Sequence, residues 1–332
     1  MTGVADTLLY VAIILAKILV VFGAIMLHVA YATYFERKTI GHMQVRLGPM
    51  NVGPHGLLQP IADGIKLFFK EDIIPAQADK PVFFVAPVIS LIGALSSLAV
   101  VPFFEGFAIA NINVGLLFVL AMSSLGSYGI ILAGWSSNSK YSFLGGLRSA
   151  AQVISYEIAL GLSLVGVMML AGSLNLTDIV RAQERYPFGM FLIPQIIGCF
   201  VYTIAVIAET NRSPFDLPEA ESELVAGYFV EYSGMRYGLF FVAEYTGMII
   251  MASMGIVCFL GGWSGPFKIP YVPFAWFFLK LYVLIFIYYW VRATLPRYRY
   301  DHLMSLGWKV MIPLALFNIV ITGILKITKV LP

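Results

Sequence analysis

Charge is what this chain has least of. Of its 332 residues only 12% are Asp, Glu, Lys or Arg, about half the share of an ordinary soluble domain. Hydrophobic residues make up 60% and the mean hydropathy is +0.86, which excludes a soluble enzyme and reads as a polytopic membrane protein. A net charge of +3 is too small to point to nucleic acid. Cysteine is nearly absent: Cys199 and Cys258 each sit inside an apolar run and no C-x-x-C occurs, so an iron–sulfur cluster or zinc finger has no ligand set. The four histidines, His28, His42, His55 and His302, are scattered and offer no pair of axial haem ligands at transmembrane spacing. His28, alone on an apolar helix, reads as a packed histidine. Any redox centre therefore belongs to a partner or to a diffusing substrate.

The long apolar runs are what remains. Eight are expected to cross a membrane, at approximately 8–34, 82–103, 112–134, 150–172, 187–208, 238–262, 273–294 and 309–328. A hydrocarbon core takes about 20 helical residues, and in lipid a helix satisfies its own backbone groups. With no basic region before it, the first run reads as a real span rather than a cleaved signal. The fold expected is all-α: one transmembrane helical domain over 1–332, with informative loops at 35–81, 209–237 and 292–309. The odd-numbered loops carry 14 Lys and Arg, against 5 for the even loops and C-terminal tail together. The positive-inside rule then places the odd loops in the cytoplasm or an equivalent mitochondrial matrix, and both termini on the other side. Within the first loop, "GLLQPIADGIKLFFKED" at 56–72 spaces its apolar residues near a helical period. That predicts an interfacial amphipathic helix, either an anchor on the lipid surface or one wall of a site for an amphiphilic substrate.

Against this background the stretch 208–232, "AETNRSPFDLPEAESELVAGYFVEY", stands out. It holds Glu209, Asp216, Glu219, Glu221, Glu223 and Glu231, six of the chain's 18 acids, with Arg212 as its one base. Glu157 and Glu244 lie inside neighbouring spans, where a charged side chain costs about 3 kcal/mol on insertion scales. Such residues face a bundle interior or wet cavity and mark an ion or proton path; a protonated Glu making one interhelical hydrogen bond is the plainer alternative. Crowded, buried carboxyls hold protons more tightly and titrate as a set, as a proton relay requires. Asp216-Leu217-Pro218-Glu219 also fits a capping box, which predicts a helix starting after Asp216. Capping accounts for Asp216 and Glu219 and leaves Glu221, Glu223 and Glu231 unexplained.

Three segments carry a resemblance: "ERKTIGHMQVRLGPMNVGPHGLLQPIADGIKLFFKE", "AETNRSPFDLPEAESELVAGYFVEYSGMRYGLFFVAEY" and "RATLPRYRYDHLMSLGWK". They resemble signature segments of the H-type membrane subunits of the proton-pumping NADH:quinone oxidoreductase, respiratory complex I, and the likeness covers nearly the whole chain. The resemblance implies a membrane subunit that joins a redox arm to a pumping arm. It belongs to an enzyme but has no complete active site alone, and it binds no metal or redox cofactor. FMN and iron–sulfur clusters are expected in partner subunits. Quinone would enter from the bilayer between helices and reach a chamber shared with two peripheral-arm subunits. Small membrane-arm and antiporter-like subunits would be the other neighbours, in a bacterial inner membrane.

Carried over by position, the implied proton relay is Glu157, Glu209, Asp216, Glu219, Glu221, Glu223, Glu231 and Glu244, with Asp63 joining it to the quinone chamber. The implied quinone passage is Glu36, Arg37, Arg46, Asp63 and Lys66, with Phe229 and Arg236 at the chamber wall. Two other readings fit the oily, acid-bearing chain. A membrane subunit of an energy-converting hydrogenase or formate hydrogenlyase would keep the acids and need no quinone passage. An independent secondary transporter would place its site at midplane between repeated halves.

Overall fold

In the computed structural model the chain is a helical bundle; the structure describes residues 2–218, 221–265 and 273–328. Among the described residues seven helices are long and apolar enough to cross a membrane. They are α1 (Thr2–Met43), α3 (Lys80–Ser97), α4 (Gly115–Ser136), α5 (Lys140–Ala171), α9 (Gly234–Phe259), α10 (Pro273–Thr294) and a C-terminal rod. In that rod α11 (Tyr300–Leu306) runs into α12 (Ile312–Ile327) through a π turn at Gly307–Met311. The predicted amphipathic helix is α2 (Gln59–Phe69), with Ile61, Ile65, Phe68 and Phe69 exposed along one side. Short helices α6 (Leu176–Gln183) and α8 (Glu221–Leu224) lie in connections.

Two expected spans are redrawn. The fifth, expected at 187–208, is the 14-residue α7 (Ile196–Glu209), about 21 Å long at 1.5 Å per residue and short of a ~30 Å core. Pro187 and Pro194 keep 187–195 out of the helix, since each lacks an N–H and pushes the residue before it from helical backbone. That segment is tied instead to the end of α9, with Leu192 N donating to Phe259 O at 3.0 Å. The first span continues beyond 34 to Met43, so Glu36, Arg37 and Lys38 are helical rather than part of the first loop.

The loops sort into two ends. At the odd-loop end, Asp79 N donates to Ser136 O at 3.0 Å, Tyr298 N to Pro214 O at 3.0 Å, and Ile73 N to Ser233 Oγ at 2.9 Å. At the other end, Leu116 N donates to Leu174 O at 3.0 Å and Asn175 Nδ2 to Asn111 Oδ1 at 2.7 Å. Lys17 near the start of α1 and Lys326 near the end of α12 join this second group, through the carbonyls of Ala108 and Met169. The chain thus runs alternately between the two ends of the bundle, the shorter α7 included. Lys280, a cation inside a span, has a local role: its Nζ donates to the carbonyls of Leu260, Gly262 and Ser264 at 2.6, 3.0 and 2.6 Å, satisfying acceptors where α9 ends.

Helices α3 and α4 pack most closely, through a small-residue seam of the kind that lets membrane helices approach. On α3 it is Ala86, Ser90, Gly93 and Ser97; on α4 it is Gly126, Gly129 and Ala133. A Cβ on Gly93 would lie 2.7 Å from Gly126 N and 2.7 Å from Met122 O. Gly93→Val is therefore expected to force the helices apart and cost about 1–3 kcal/mol, the usual range for overpacking, read as a lower melting temperature of the assembled protein.

Candidate functional site

Four charged side chains from four parts of the chain meet in the bundle at the odd-loop end. Glu36 comes from α1, Arg212 from the loop after α7, Glu244 from α9 and Arg292 from α10. Arg212 Nε lies 2.6 Å from Glu244 Oε1, and its Nη1 3.3 Å from Glu36 Oε1. Arg292 pairs with the same Glu36 oxygen, and the Tyr245 hydroxyl donates to the other. The Arg212 guanidinium also lies over the Tyr245 ring, 4.3 Å from its centroid. Burial opposes the Arg212 charge, but Glu244, Tyr245 and Glu36 outweigh it and hold its pKa well above the ordinary arginine value. Two acids against two arginines leave the cluster neutral, the condition under which buried charges are tolerated.

Glu244 also faces a cavity of ≈100 Å³ between α3, α4 and α9, and so does Glu209 at the end of α7. At about 30 Å³ per water molecule this has room for roughly three. Ser90, Ser123, Ser127, Thr210, Asn211 and Tyr228 supply polar lining. The small residues of the α3–α4 seam create the space, and Gly247 on α9 leaves it open, with nothing within 4 Å of where its Cβ would stand. Beyond the cavity, Ser123 Oγ donates to Glu209 Oε1 at 2.7 Å. The next residue, Ser124, donates to Glu157 Oε1, and Glu157 is an electrostatic neighbour of Glu209. The turn after α7 is held to α5 by buried Gln152, whose Nε2 donates to Ala208 O at 2.7 Å and Phe215 O at 2.8 Å. Carboxyls, hydroxyls and the cavity thus form one string: Glu36, Arg212, Glu244, the cavity, Glu209, Ser123 and Ser124, Glu157.

The remaining acids are spread more widely than the sequence suggested. Asp216 is an electrostatic neighbour of Glu244 and pairs with Arg297 at 3.4 Å. Among the described residues, Leu217 and Pro218 form a turn and α8 is described over Glu221–Leu224; the rest of the expected capping box lies outside the described residues. Glu223 lies outward, paired with Arg148 with half its side chain exposed. Glu231 is half-buried. Glu219 and the side chain of Glu221 lie outside the described residues.

The residues expected around a quinone passage divide in the same way. Glu36 belongs to the buried ion cluster. Arg37 pairs with Asp63 at 2.8 Å, which also accepts from Gln59 Nε2 at 3.0 Å, fastening α2 to the end of α1. Arg46 and Lys66 are exposed. Phe229 packs among Tyr228, Tyr237 and Phe240. Arg236 pairs with Asp72 at 2.9 Å and stacks on Phe84, 3.6 Å from the ring centroid, clamping the segment after α2 to the start of α9. A second, apolar cavity of ≈890 Å³ runs between α1 and α10. Phe35, Thr39 and Leu57 line its odd end and Phe103, Phe107 and Phe274 its other end. Tyr289 on its wall donates to Ala32 O at 3.1 Å and neighbours Glu36 electrostatically. Sequence reasoning passed over Arg292, Tyr245, Ser123, Ser124 and Gln152. The adjacent hydroxyls of Ser123-Ser124 in an apolar helix were the one local signal available.

The family model described as NADH dehydrogenase matches residues 16–323. An H-type subunit of the NADH-quinone oxidoreductase of Geobacter sulfurreducens is 53% identical over 337 aligned positions, covering 96% of each chain. The H-type subunit of the same enzyme from Rickettsia typhi is 54% identical, again over 96% of each chain. The corresponding protein of Rhodospirillum rubrum is 54% identical over 96% of this chain and 94% of its own. With the match running nearly end to end, the chain belongs to the NADH dehydrogenase family of H-type NADH-quinone oxidoreductase subunits.

Proposed function

We propose that this protein forms the quinone passage and part of the quinone chamber of an NADH:quinone oxidoreductase, and couples quinone reduction to proton translocation through its carboxylate string. One observation carries this reading: Glu209 and Glu244 share one small cavity whose lining includes several hydroxyls among apolar side chains, and Glu244 is tied through Arg212 to Glu36 beside the apolar cavity. Quinone enters laterally between α1 and α10, and its ring is presented at the odd-loop end. There it meets a chamber completed by two peripheral-arm subunits, whose FMN and iron–sulfur clusters deliver the electrons. The odd-loop end faces the cytoplasm and both termini the periplasm.

Reduction of the ring takes up two electrons and two protons, so the local charge changes as they arrive. Glu36 feels that change and adjusts its share of Arg212. Glu244, losing or gaining its cation, then changes its proton affinity. Waters in the cavity carry the proton between Glu244 and Glu209, and Glu157, an electrostatic neighbour of Glu209, responds to its charge. From there the charge passes to the small membrane-arm and antiporter-like subunits.

The test is Glu209→Gln and Glu244→Gln in the whole complex, reconstituted in liposomes. NADH-driven quinone reduction and proton movement are both expected to fall by about a hundredfold, the low end of what a positioned proton-transfer group contributes. Unchanged rates of both in an assembled complex would overturn the coupling role. A complex that purifies with a nickel hydrogenase and no flavin or NADH-linked partner would assign the chain to the hydrogenase reading instead.

A further inference from the structure

The cavity between α1 and α10 has two unlike halves. Its α1 wall runs from Val20 to Thr39, about 28 Å at 1.5 Å per residue and close to a whole ~30 Å hydrocarbon core. Toward the odd-loop end the lining includes Tyr31, Thr39 and Tyr289. Toward the even-loop end it is apolar, with Val20, Val21 and Ala24 on α1 and Phe103, Phe107 and Phe278 on the other walls. Val20 is 63% exposed and Phe274 54%, so this half is open on its lipid side. One turn below Val21, on the same face of α1, stands half-buried Lys17. It lies about 27 Å below Phe35 at the helical rise, nearly a full core thickness, which puts its ammonium at headgroup level in the opposite leaflet. Its Nζ lies over the ring of Phe107, 5.9 Å from the centroid, and donates to Ala108 O at 3.4 Å. Among the described residues that carbonyl is its only acceptor, and an ammonium has three donors.

We propose that Lys17 and the even half of this cavity form a binding site for a phospholipid of the leaflet at that end. The ammonium holds the phosphate, and one acyl chain enters sideways and lies against Phe103, Phe107 and Phe278. An isoprenoid tail has no use for a cation at its end, whereas a phosphodiester above hydrocarbon matches both parts of the site. Basic groups between membrane helices hold lipid headgroups in this way, and the apolar walls favour hydrocarbon over water. The aromatic wall is braced for the contact. Phe104 and Phe107 pair across a tight hairpin, their rings stacked 4.6 Å apart, and Phe274 stands edge-on to Phe104 at 6.0 Å. With this half filled, a quinone in the same cavity is confined to the odd half, beside Phe35 and Thr39. That consequence rests on the reading of the cavity as a quinone passage; the lipid site does not.

The probe is phosphatidylglycerol with a diazirine in one acyl chain, exchanged into membranes holding the whole complex, photolysed and mapped by peptide mass spectrometry. Label between Lys17 and Leu27 or on Phe103–Phe107 is expected to exceed label at exposed Phe317 on α12 several-fold. It should fall to the Phe317 level in Lys17→Leu and persist in Lys17→Arg. Ala24→Trp, which fills the apolar half and leaves the ammonium in place, should remove it as well. Each variant is first checked for assembly into the complex. Label no stronger than at Phe317, or unchanged in both Lys17→Leu and Ala24→Trp, assigns the contact to bulk lipid and overturns the site. Label displaced by excess long-tailed quinone and not by unlabelled phospholipid assigns this half to the quinone tail, which overturns the site and leaves the passage standing. A ring-azido quinone photolysed in parallel reads the passage itself: failure to label around Phe35, Thr39 and Leu57 overturns that reading and leaves the lipid site standing.

Discussion

Arg212→Leu is expected to destabilise the odd-loop end of the bundle by about 3–5 kcal/mol, the range for removing one member of a buried ion pair. The three side chains involved are only 5–14% exposed, so solvent cannot take over the lost interaction. Glu36 keeps Arg292 and Tyr245, whereas Glu244 loses its ion partner. The loss should therefore come mainly from Glu244, and Arg212→Leu with Glu244→Gln should recover part of it; a double-mutant cycle on the melting of the solubilised complex measures the coupling. Arg212→Lys should recover less than its charge suggests. One ammonium cannot reproduce the fork that spans Glu36 and Glu244 while lying over Tyr245. A single variant that melts like the wild type would show that the cluster contributes nothing to stability.

Gly247→Leu is expected to fill the cavity between Glu244 and Glu209 and leave no room in it for water. The Cβ position is open, and glycine inside a helix is itself unfavourable by about 1 kcal/mol relative to alanine. Folding and assembly should survive or improve. Proton movement per quinone reduced should fall by about tenfold or more, in line with losing a proton-transfer path, although no carboxylate has been changed. Gly247→Ala, which adds one methyl, should have a small effect. If a full-sized side chain here leaves proton movement intact in liposomes, the cavity is not on the path.

Much of this architecture was legible in advance, for a physical reason. Apolar runs long enough to cross a bilayer admit one backbone solution, and the distribution of Lys and Arg grouped the loops into the two ends the structure displays. The amphipathic pattern at 56–72 likewise predicted a helix, which is α2 over Gln59–Phe69. The errors fell where a local signal competed with a distant partner. Glu36, Arg37 and Lys38 looked like the start of a loop because charge ends an apolar run. Helix α1 continues because Glu36 finds Arg212 and Arg292, which are 176 and 256 residues away in sequence. Asp216 also has a partner no local pattern announces, Arg297 in another loop. Glu223, assigned to the relay by the resemblance, pairs with Arg148 on α5, a contact that its sequence neighbours do not announce. Glu209 and Glu244 were visible as expensive charges, but the cavity joining them depends on glycine and serine seams whose meeting no local pattern reveals.

The most direct measurement is infrared difference spectroscopy of the whole complex as NADH reduces bound quinone. The account predicts a carboxyl C=O band that appears or shifts on reduction, moves in heavy water, and is removed in part by Glu209→Gln and in part by Glu244→Gln. It also predicts that Gly247→Leu leaves the Glu244 component and loses the Glu209 component, because the charge change still reaches Glu244 but the proton no longer crosses the cavity. A carboxyl signal indifferent to all three substitutions, in complexes that still reduce quinone and move protons, would contradict the account.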